Sequence, residues 1–381
     1  VLISLVGEQP GPNLIPLYTG VRGVRPDIVQ WMVSGDPLIR RVATHLEEAM
    51  QGDPVLQAVQ SAVWMSADSW CLEQAKQDIQ DAIKRYPPTE YAVTLNLTGG
   101  TKIMSLAAYQ VAVENNLPAI YINTDNSEML HFDGSGKSAA AESIRTHIPI
   151  RTHLMAAGQR IKSSVKPEQL NAGWIFLAQE LVKHYRVLYP YLVKPIKQYK
   201  YGEFFKFTVP GDCAAFVTKA AESKLLEWDQ QNNLLKITDD KAQYFLQGGW
   251  LEYYCLSHLQ ESGYFDEVLG NVELKDITGE IDCILELNGR LAFVECKVSG
   301  DRKEEGKTCA ATKLRLHEAI LGGPYSSSVF AIGTEEPNHL ADWRKFSEQY
   351  RLVQPVCGQD LPGLAYTVQK TFGRRADWYP Q

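Results

Sequence analysis

Short apolar segments alternate with stretches of helical periodicity over the first 150 residues of the chain. Strands that are separated by helices are joined by right-handed crossovers, and chains of this kind form a mainly parallel sheet. The sequence therefore predicts a Rossmann-like α/β domain at residues 1–150. The predicted strands are Leu2–Val6, Ile28–Val33, Ala62–Met65, Tyr91–Leu97 and Ala119–Asn123, and the clearest predicted helices are Asp68–Arg85 and Thr101–Asn115.

The length and composition describe a globular protein of more than one domain. The chain has 381 residues, of which 45% are hydrophobic and 22% charged, and this length exceeds one ordinary core. A formal net charge of −7 and a pI near 5.7 argue against a protein that coats nucleic acid non-specifically. A local basic groove stays compatible with this charge, because only the local field steers a polyanion.

The cysteines and the apolar segments predict a soluble protein of the cytoplasm. The seven cysteines are scattered and form no Cys-x-x-Cys pair. This pattern disfavours a disulfide framework or a zinc knuckle and favours a reducing compartment. No apolar run approaches the roughly 20 residues of a membrane span. The apolar segment Val1–Gly7 lacks the basic region of a signal peptide.

The rest of the chain divides into a middle segment and a C-terminal unit. Residues 151–245 combine a predicted helix with short predicted strands, and a small winged-helix-like module would fit this linker. Residues 246–381 have the order α-β-β-β-α, which predicts a separate α/β domain. The elements predicted in these two parts are Leu170–Tyr189, Phe204–Val209, a hairpin around Asn232-Asn233, Trp250–Gln260, Val268–Leu274, a second hairpin and Thr312–Leu321.

The dipeptide Asn288-Gly289 predicts the β-hairpin of the C-terminal unit. Asn-Gly is the preferred sequence of a two-residue type I′ turn, and such a turn fixes the register of its strands. In this register Asp282 lies opposite Glu295, and Glu280 lies opposite Lys297. Alternation of side chains places Asp282, Glu295 and Lys297 on one face. The opposite face, predicted to be the core, consists of Ile281, Cys283, Leu285, Leu287, Ala292, Val294 and Cys296.

Two carboxylates that face each other across a strand pair predict a cation between them. Their Cβ atoms lie about 5 Å apart, and at an effective dielectric of about 20 their repulsion is roughly 3 kcal/mol. Mg²⁺ or Mn²⁺, which prefer oxygen ligands, would remove this cost. We predict a metal site at Asp282 and Glu295, with Lys297 assisting the attacking water or the developing charge. For Glu-x-Lys alone, a solvated strand face is the alternative.

Glu252 lies on the helix that opens the C-terminal unit. It shares a helical stripe with three apolar residues, Cys255, Leu256 and Leu259. A carboxylate on an apolar stripe rarely lacks a partner, which favours a functional role. A glutamate in the first turn that interacts with the helix dipole is the alternative, and spacing alone leaves both open.

The set Glu252, Asp282 and Glu295-Cys296-Lys297 resembles the signature of the PD-(D/E)xK restriction-endonuclease-like superfamily. The resemblance implies a metal-dependent nuclease domain. It also implies that the Asp and the second Glu bind the metal, that the Lys is catalytic, and that the helix Glu completes the site. Downstream, Lys313 either contacts phosphate or lies on a solvated helix face.

Two loops of the N-terminal domain have residues that suit a phosphate ligand. They are Gly7–Asn13, after the first predicted strand, and Thr98–Lys102, between a predicted strand and a helix. In an open parallel sheet, ligands bind where the carboxyl ends of strands meet helix N-termini, and glycines there let the backbone approach a ligand. Neither loop is a Walker A or dinucleotide motif. A turn that only reverses the chain is the alternative for Thr98–Lys102.

Leu5–Pro10 and Asn96–Ser105 together resemble the CARF (CRISPR-associated Rossmann fold) domain, and the whole chain resembles the CARF-domain nucleases of type III CRISPR systems. The resemblance implies a homodimer that binds cyclic oligoadenylate, usually cyclic tetra-adenylate, across its twofold axis. Binding would switch on cleavage of DNA and/or RNA in antiviral defence. The implied ligand-binding residues are Glu8, Gln9, Asn13, Thr98, Gly99, Gly100, Thr101 and Lys102.

Two other interpretations stay open at the level of sequence. One is an unregulated repair nuclease of the same superfamily, in which the N-terminal domain is merely structural. The other is a ligand-sensing transcription regulator, in which a middle winged helix binds DNA and the C-terminal fold is inert. A regulator requires a basic recognition helix, and Lys162, Lys166, Lys183 and His184 of the middle segment make only a thin one.

Overall fold

The computed structural model describes residues 1–87, 89–124, 126–298, 304–323, 326–334, 337–349 and 354–372. These residues form two α/β units on separate sheets of seven and six strands, together with a small three-stranded sheet. This architecture confirms the predicted α/β fold class. Across the described residues, no helix is long and apolar enough to cross a membrane.

The N-terminal unit is a Rossmann-like sheet. Its strands lie in the order β3-β2-β1-β4-β5-β6-β7. The first five strands are parallel and the last two are antiparallel. The elements are β1 Leu2–Leu5, α1 Gly11–Thr19, β2 Ile28–Val33, α2 Pro37–Gly52, β3 Gln60–Met65, α3 Leu72–Lys84, β4 Thr94–Asn96, α4 Lys102–Glu114, β5 Ala119–Asn123, β6 Glu128–Phe132 and β7 Glu142–Ser143.

Helices cover both faces of this sheet, as successive residues of β1 illustrate. Leu2 packs with the helices α1 and α2, whereas Ile3 packs with α3 and α4. The helix α1 begins at Gly11, inside the segment Gly7–Asn13 predicted as a loop. The prolines and glycines of that segment suggest a turn, yet Pro12 stands in the first helical turn, where its missing N–H costs nothing.

The middle segment contains the expected combination of helices and a hairpin. Its small antiparallel sheet has the order β10-β11-β9. The strand β8, however, pairs with β12 in the C-terminal sheet, so residues 161–165 extend that sheet from within the predicted middle module. The elements are α5 Ile150–Ala156, β8 Ile161–Val165, α6 Ala172–Lys183, α7 Tyr185–Leu188, α8 Lys194–Ile196, β9 Phe204–Lys206, α9 Ala214–Glu222, β10 Leu226–Asp229, β11 Leu234–Ile237 and α10 Asp240–Tyr244.

The C-terminal sheet has the order β16-β15-β14-β13-β12-β8. The pairs β14–β15 and β15–β16 are parallel, and the other pairs are antiparallel. The hairpin has the predicted register from Leu287 opposite Arg290 to Cys283 opposite Val294. The paired ladder ends there, so it does not include the predicted pair of Asp282 and Glu295. The elements are α11 Trp250–Glu261, β12 Glu267–Leu274, β13 Glu280–Leu287, β14 Arg290–Lys297, α12 Glu304–His317, β15 Ser327–Ile332, α13 Pro337–Gln349, β16 Val356–Cys357 and α14 Leu364–Thr371.

Both faces of the hairpin are buried, so the prediction that one face alone forms the core is wrong. Cys283 and Val294 pack with α11 and α14, while Ile284 and Phe293 pack with α12 and α13 on the other side. Ile281, predicted on the face of Cys283, packs on the side of Ile284 instead. The physical reason is the parallel pair β14–β15, whose crossover connection carries a helix over the second face. The predicted acidic residues therefore lie at a polar site within a sheet whose two faces are both buried.

Candidate functional site

Three of the predicted residues come together at the ends of β13 and β14. The Lys297 Nζ lies 2.5 Å from Glu295 Oε1 and 3.7 Å from Asp282 Oδ2. The same Nζ donates to the Cys296 carbonyl at 2.9 Å. Asp282 is 8% exposed and Glu295 is 2% exposed. We call Asp282, Glu295 and Lys297 the acidic cluster.

Burial and like charge dominate the electrostatics of the acidic cluster. Burial raises the pKa of Asp282 well above its usual value, and the neighbouring Glu295 raises it further. The backbone N–H of Cys296 donates to Asp282 Oδ2 at 2.6 Å. Burial by itself would lower the pKa of Lys297, but the carboxylates of Glu295 and Asp282 outweigh burial and raise it. The cluster thus pairs two mutually repelling acids with a firmly protonated lysine.

A second lysine reaches the acidic cluster from α12. The Lys313 Nζ lies 3.3 Å from Glu295 Oε2 and also donates to the Glu280 carbonyl. The sequence left Lys313 between a phosphate contact and a solvated helix face, whereas its observed partner is a carboxylate of the acidic cluster. Glu280, expected to face Lys297, contributes its backbone carbonyl to Lys313 instead.

Glu252 approaches the same region from α11. It accepts hydrogen bonds from the Tyr244 hydroxyl and, at 2.9 Å, from the Asn271 side-chain amide. Together with Lys297, it lines a cleft of about 290 Å³. Burial raises the pKa of Glu252 to about 7, and the nearby Cys296 thiol adds to the shift. Glu252 therefore borders the cleft beside the acidic cluster, held by its own neutral partners.

The donor set of the acidic cluster fits a divalent cation with oxygen ligands. The oxygens of Asp282, Glu295 and the Cys296 carbonyl converge on the Lys297 ammonium. The ammonium group therefore marks a position at which these oxygens attract a positive charge. Among the described residues, no group of three or more His, Cys, Asp or Glu side chains is arranged to hold a metal. A metal here would have two carboxylates and would need a carbonyl, water or substrate oxygens besides, as Mg²⁺ commonly does.

A larger cavity of about 900 Å³ lies at the carboxyl ends of β1, β2 and β4. Its lining includes Glu8, Gln9 and the whole loop Thr98–Lys102, so seven of the eight predicted ligand-binding residues meet there. Gly99 is required at its position, because a β-carbon would lie 2.0 Å from the Leu5 carbonyl oxygen. The cavity is placed where open α/β sheets bind ligands.

Asn13 is the predicted ligand residue that does not line this cavity. Its side chain is fully buried, and its Nδ2 donates to Ser4 Oγ at 2.9 Å and to the Leu5 carbonyl at 2.8 Å. Asn13 lies inside α1 and not in a loop, so its side chain turns toward β1. It supports the cavity wall from behind.

The threonine hydroxyls of the cavity loop hold the loop in shape. Thr98 Oγ1 donates to Asn96 at 2.7 Å and accepts from the Ile122 N–H at 2.7 Å. Thr101 Oγ1 donates to the Ser69 carbonyl at 2.8 Å and accepts from the Met104 N–H at 3.1 Å, which caps α4. The start of α4, with Lys102 as its first residue, is thereby fixed at the edge of the cavity.

Two further segments line the cavity that the sequence did not single out. They are residues 34–37, after β2, and residues 67–70, after β3. Both follow parallel strands, so the rule that ligands bind at strand carboxyl ends would have found them. Trp70, whose side chain is 76% exposed, stands at the cavity rim.

Residues 1–150 match the family model described as the Card1 CARF domain. No curated protein matches the chain. Protein VC1899 from Vibrio cholerae has a similar structure, with a TM-score of 0.78 and 17% identity over 98% of this chain and 99% of that one.

Two other solved structures resemble the chain. Can2 from Sulfobacillus thermosulfidooxidans, in complex with cyclic tetra-adenylate, has a TM-score of 0.73 and 17% identity over 98% of this chain and 99% of that one. A type III CRISPR defence DNA nuclease activated by cyclic oligoadenylate has a TM-score of 0.54 and 18% identity, covering 87% of this chain and 45% of that one. At these identities the likeness is one of fold.

Proposed function

We propose that this chain, a CARF-domain protein with the fold of the CARF-domain nucleases, is a metal-dependent endonuclease of type III CRISPR defence that cyclic oligoadenylate activates. One observation supports this most directly. The same chain combines a cavity lined by Thr98–Lys102 with the buried acidic cluster of Asp282, Glu295 and Lys297. Two acids that are buried against each other cost stability. A catalytic function explains why they are retained, and a regulator without nuclease activity would not need them.

We propose cyclic tetra-adenylate as the activator and a homodimer as the active form. The cavity is bordered by the N-terminus of α4, and backbone N–H groups at a helix start suit a phosphate. A cyclic ligand of even size has a twofold axis, so two copies of this chain would each contact half of the ring with the same residues. Can2 is the relative solved with this ligand.

The catalytic roles follow from the charges of the acidic cluster. Asp282, Glu295 and the Cys296 carbonyl would hold Mg²⁺ or Mn²⁺, which when bound polarises the scissile phosphate. Lys297 would donate hydrogen bonds to the attacking water and to the charge that develops on the phosphate. Lys313 keeps Glu295 oriented by a contact of 3.3 Å.

The experiment measures cleavage of single-stranded DNA, supercoiled plasmid and RNA in Mn²⁺ or Mg²⁺, with and without cyclic tetra-adenylate. We expect cleavage only with the ligand, and its loss in Glu295→Ala and in Lys102→Ala. The control variants are Glu273→Ala on β12 and Lys84→Ala on α3, whose side chains form surface ion pairs and line neither the large cavity nor the cleft at Glu252. Ligand-independent cleavage would support an unregulated repair nuclease, and no cleavage in any condition would support a regulator.

A further inference from the structure

Gln9 contacts both the ligand cavity and the C-terminal unit. It lines the large cavity of the N-terminal unit. It also lines a small cavity between the two units, together with Leu321 and Gly322. Its side chain lies directly against Gly323, since a β-carbon on Gly323 would be 2.0 Å from Gln9 Oε1. A ligand in the large cavity would therefore touch a side chain that already rests on the other domain.

Gly323 is the residue at which the helical segment containing α12 ends. Beyond His317 the helix continues as a π turn, Glu318–Gly322, and the Gly323 N–H bonds to the Glu318 carbonyl. Gly323 has φ 56° and ψ −148°, a conformation that favours glycine. Contact with Gln9 therefore acts on a defined terminus that is hydrogen-bonded to the last turn of the helix.

The same helical segment carries Lys313, ten positions before Gly323. A helix rises about 1.5 Å per residue, so the two positions are separated by roughly 15 Å. Leu314 and Leu321 are buried on the hydrophobic core that includes Phe293 of β14. Because Leu314 and Leu321 are packed on one core, a shift at the end of the segment would move Lys313 relative to Glu295 on β14.

Other contacts between the units involve residues that do not line the ligand cavity. Gly289, in the hairpin turn, packs on Ile15, since an added β-carbon would lie 3.1 Å from the Ile15 side chain. The backbone N–H groups of Ile148 and Gly289 both donate to the buried Glu286 carboxylate, at 3.3 and 2.7 Å. Neither Ile15 nor Gly289 lines the ligand cavity. These contacts are suited to hold the two units together whether or not a ligand is bound. The Gln9 contact, which borders the ligand cavity, is suited to change when a ligand binds.

We propose that Gln9 is a positioning residue, which couples occupancy of the ligand cavity to the Lys313–Glu295 contact through Gly323 and α12. This inference rests on the proposed function. A ligand shifts an equilibrium only by contacts that differ between two states. Gln9 supplies such a contact, because its side chain cannot rearrange around a ligand without changing its packing on Gly323.

The test uses Gln9→Ala, Gly323→Ala and the double variant in the whole 381-residue chain. Gly363→Ala is the matched control, because a β-carbon there meets nothing within 4 Å and the residue has φ −88°. The readout is the activation ratio, which is the cleavage rate at saturating cyclic tetra-adenylate divided by the rate without it. Ligand affinity is measured separately by calorimetry.

We expect each single variant to lower the activation ratio by about ten-fold, while Gly323→Ala leaves the dissociation constant within about three-fold of wild type. The double variant should be no worse than the single ones, because both substitutions disrupt the same contact: Gln9→Ala removes the side chain, and the β-carbon added at Gly323 displaces it. Losses that multiply in the double variant, or an unchanged activation ratio in both single variants, would overturn the proposal. If Gly323→Ala does not fold, Gln9→Ala alone decides between these outcomes.

A second readout separates this inference from the proposed function. Hydrogen exchange of the amides in residues 304–322 is compared with and without cyclic tetra-adenylate. We expect the ligand to change this exchange in the wild type and in Gly363→Ala, and not in Gly323→Ala. Ligand binding and the exchange change without any cleavage would sustain the coupling while removing the nuclease proposal. Binding without any exchange change in the wild type would remove the coupling alone.

Discussion

Replacing Glu286 by glutamine is expected to stabilise the protein, and by an amount that grows with pH. Glu286 is fully buried where the hairpin turn meets the N-terminal unit. Its Oε1 accepts both backbone hydrogen bonds, from Gly289 and Ile148, whereas Oε2 has no hydrogen-bond partner. Burial raises the pKa of Glu286 to about 9. The folded protein therefore holds this carboxyl protonated at neutral pH.

The magnitude follows from proton linkage. A glutamate in the unfolded chain has a pKa of about 4.3, so between pH 5 and pH 8 the folded state binds about one proton more than the unfolded state. The contribution of Glu286 to stability is fully present below the unfolded pKa and is lost as the pH rises toward the folded pKa. The loss is about 1.4 kcal/mol per pH unit, or up to about 4 kcal/mol over three units.

Glutamine keeps the useful half of the side chain and does not titrate. Its Oε1 can accept the same two backbone N–H groups, and its amide nitrogen would stand where Oε2 lies, 3.8 Å from His147 Nε2. We therefore expect Glu286→Gln to have nearly the wild-type Tm at pH 5 and to exceed it increasingly toward pH 8. The shift is expected to be about 2–4 °C per kcal/mol.

Thermal unfolding of both proteins at pH 5, 6, 7 and 8 measures this difference. The control is Glu273→Gln, because the Lys162 ammonium holds the pKa of the exposed Glu273 below its usual value. That control should gain nothing as the pH rises. A difference between Glu286→Gln and wild type that is constant with pH, or that shrinks as the pH rises, would refute the reasoning.

Two other substitutions test the site and the interface. Lys313→Met should lower kcat for ligand-activated cleavage by about 10–100-fold, with little change in KM, because Glu295 loses an orienting charge. Initial rates at saturating ligand measure this effect. An unchanged kcat would contradict the orienting role of Lys313. Gly289→Ala should lower the free energy of unfolding by about 1–2 kcal/mol, since Gly289 has φ 74° and faces Ile15; an unchanged Tm would show that the hairpin turn does not pack on the N-terminal unit.

The sequence predicts well those features that depend on neighbouring residues. The hairpin register follows from Asn288-Gly289 alone, and the structure has it as far as Cys283 opposite Val294, with Asn288 and Gly289 both at positive φ. The meeting of Glu295 and Lys297 follows from the alternation of one strand. The cavity loop Thr98–Lys102 follows from a strand, a glycine turn and a helix start in succession. In each case the interaction that decides the geometry lies within a few residues.

Features that depend on distant partners could not be read from the sequence. Lys313 reaches Glu295 only because the crossover to β15 brings α12 over the acidic face. Asn13 is buried because its position in α1 directs its side chain toward Ser4. A segment with two prolines and two glycines does not predict a helix, so this burial is not expected from the sequence. The sequence contains apolar residues on both faces of the hairpin. Asp282, Glu295 and Lys297 lie on one of these faces, so the pattern predicts that this face is not part of the core.

The strand β8 makes the C-terminal unit discontinuous in the chain. Ile161–Val165 forms the edge of a sheet whose next strand, Glu267–Leu274, follows only after the whole small three-stranded sheet. Residues 166–245, the part of the middle segment that follows β8, are thus an insertion between two strands of one sheet. A fragment cut at residue 246 would lose this edge and expose the unpaired backbone groups of β12, which invite association between chains. The shortest excisable C-terminal fragment therefore begins no later than Ile161.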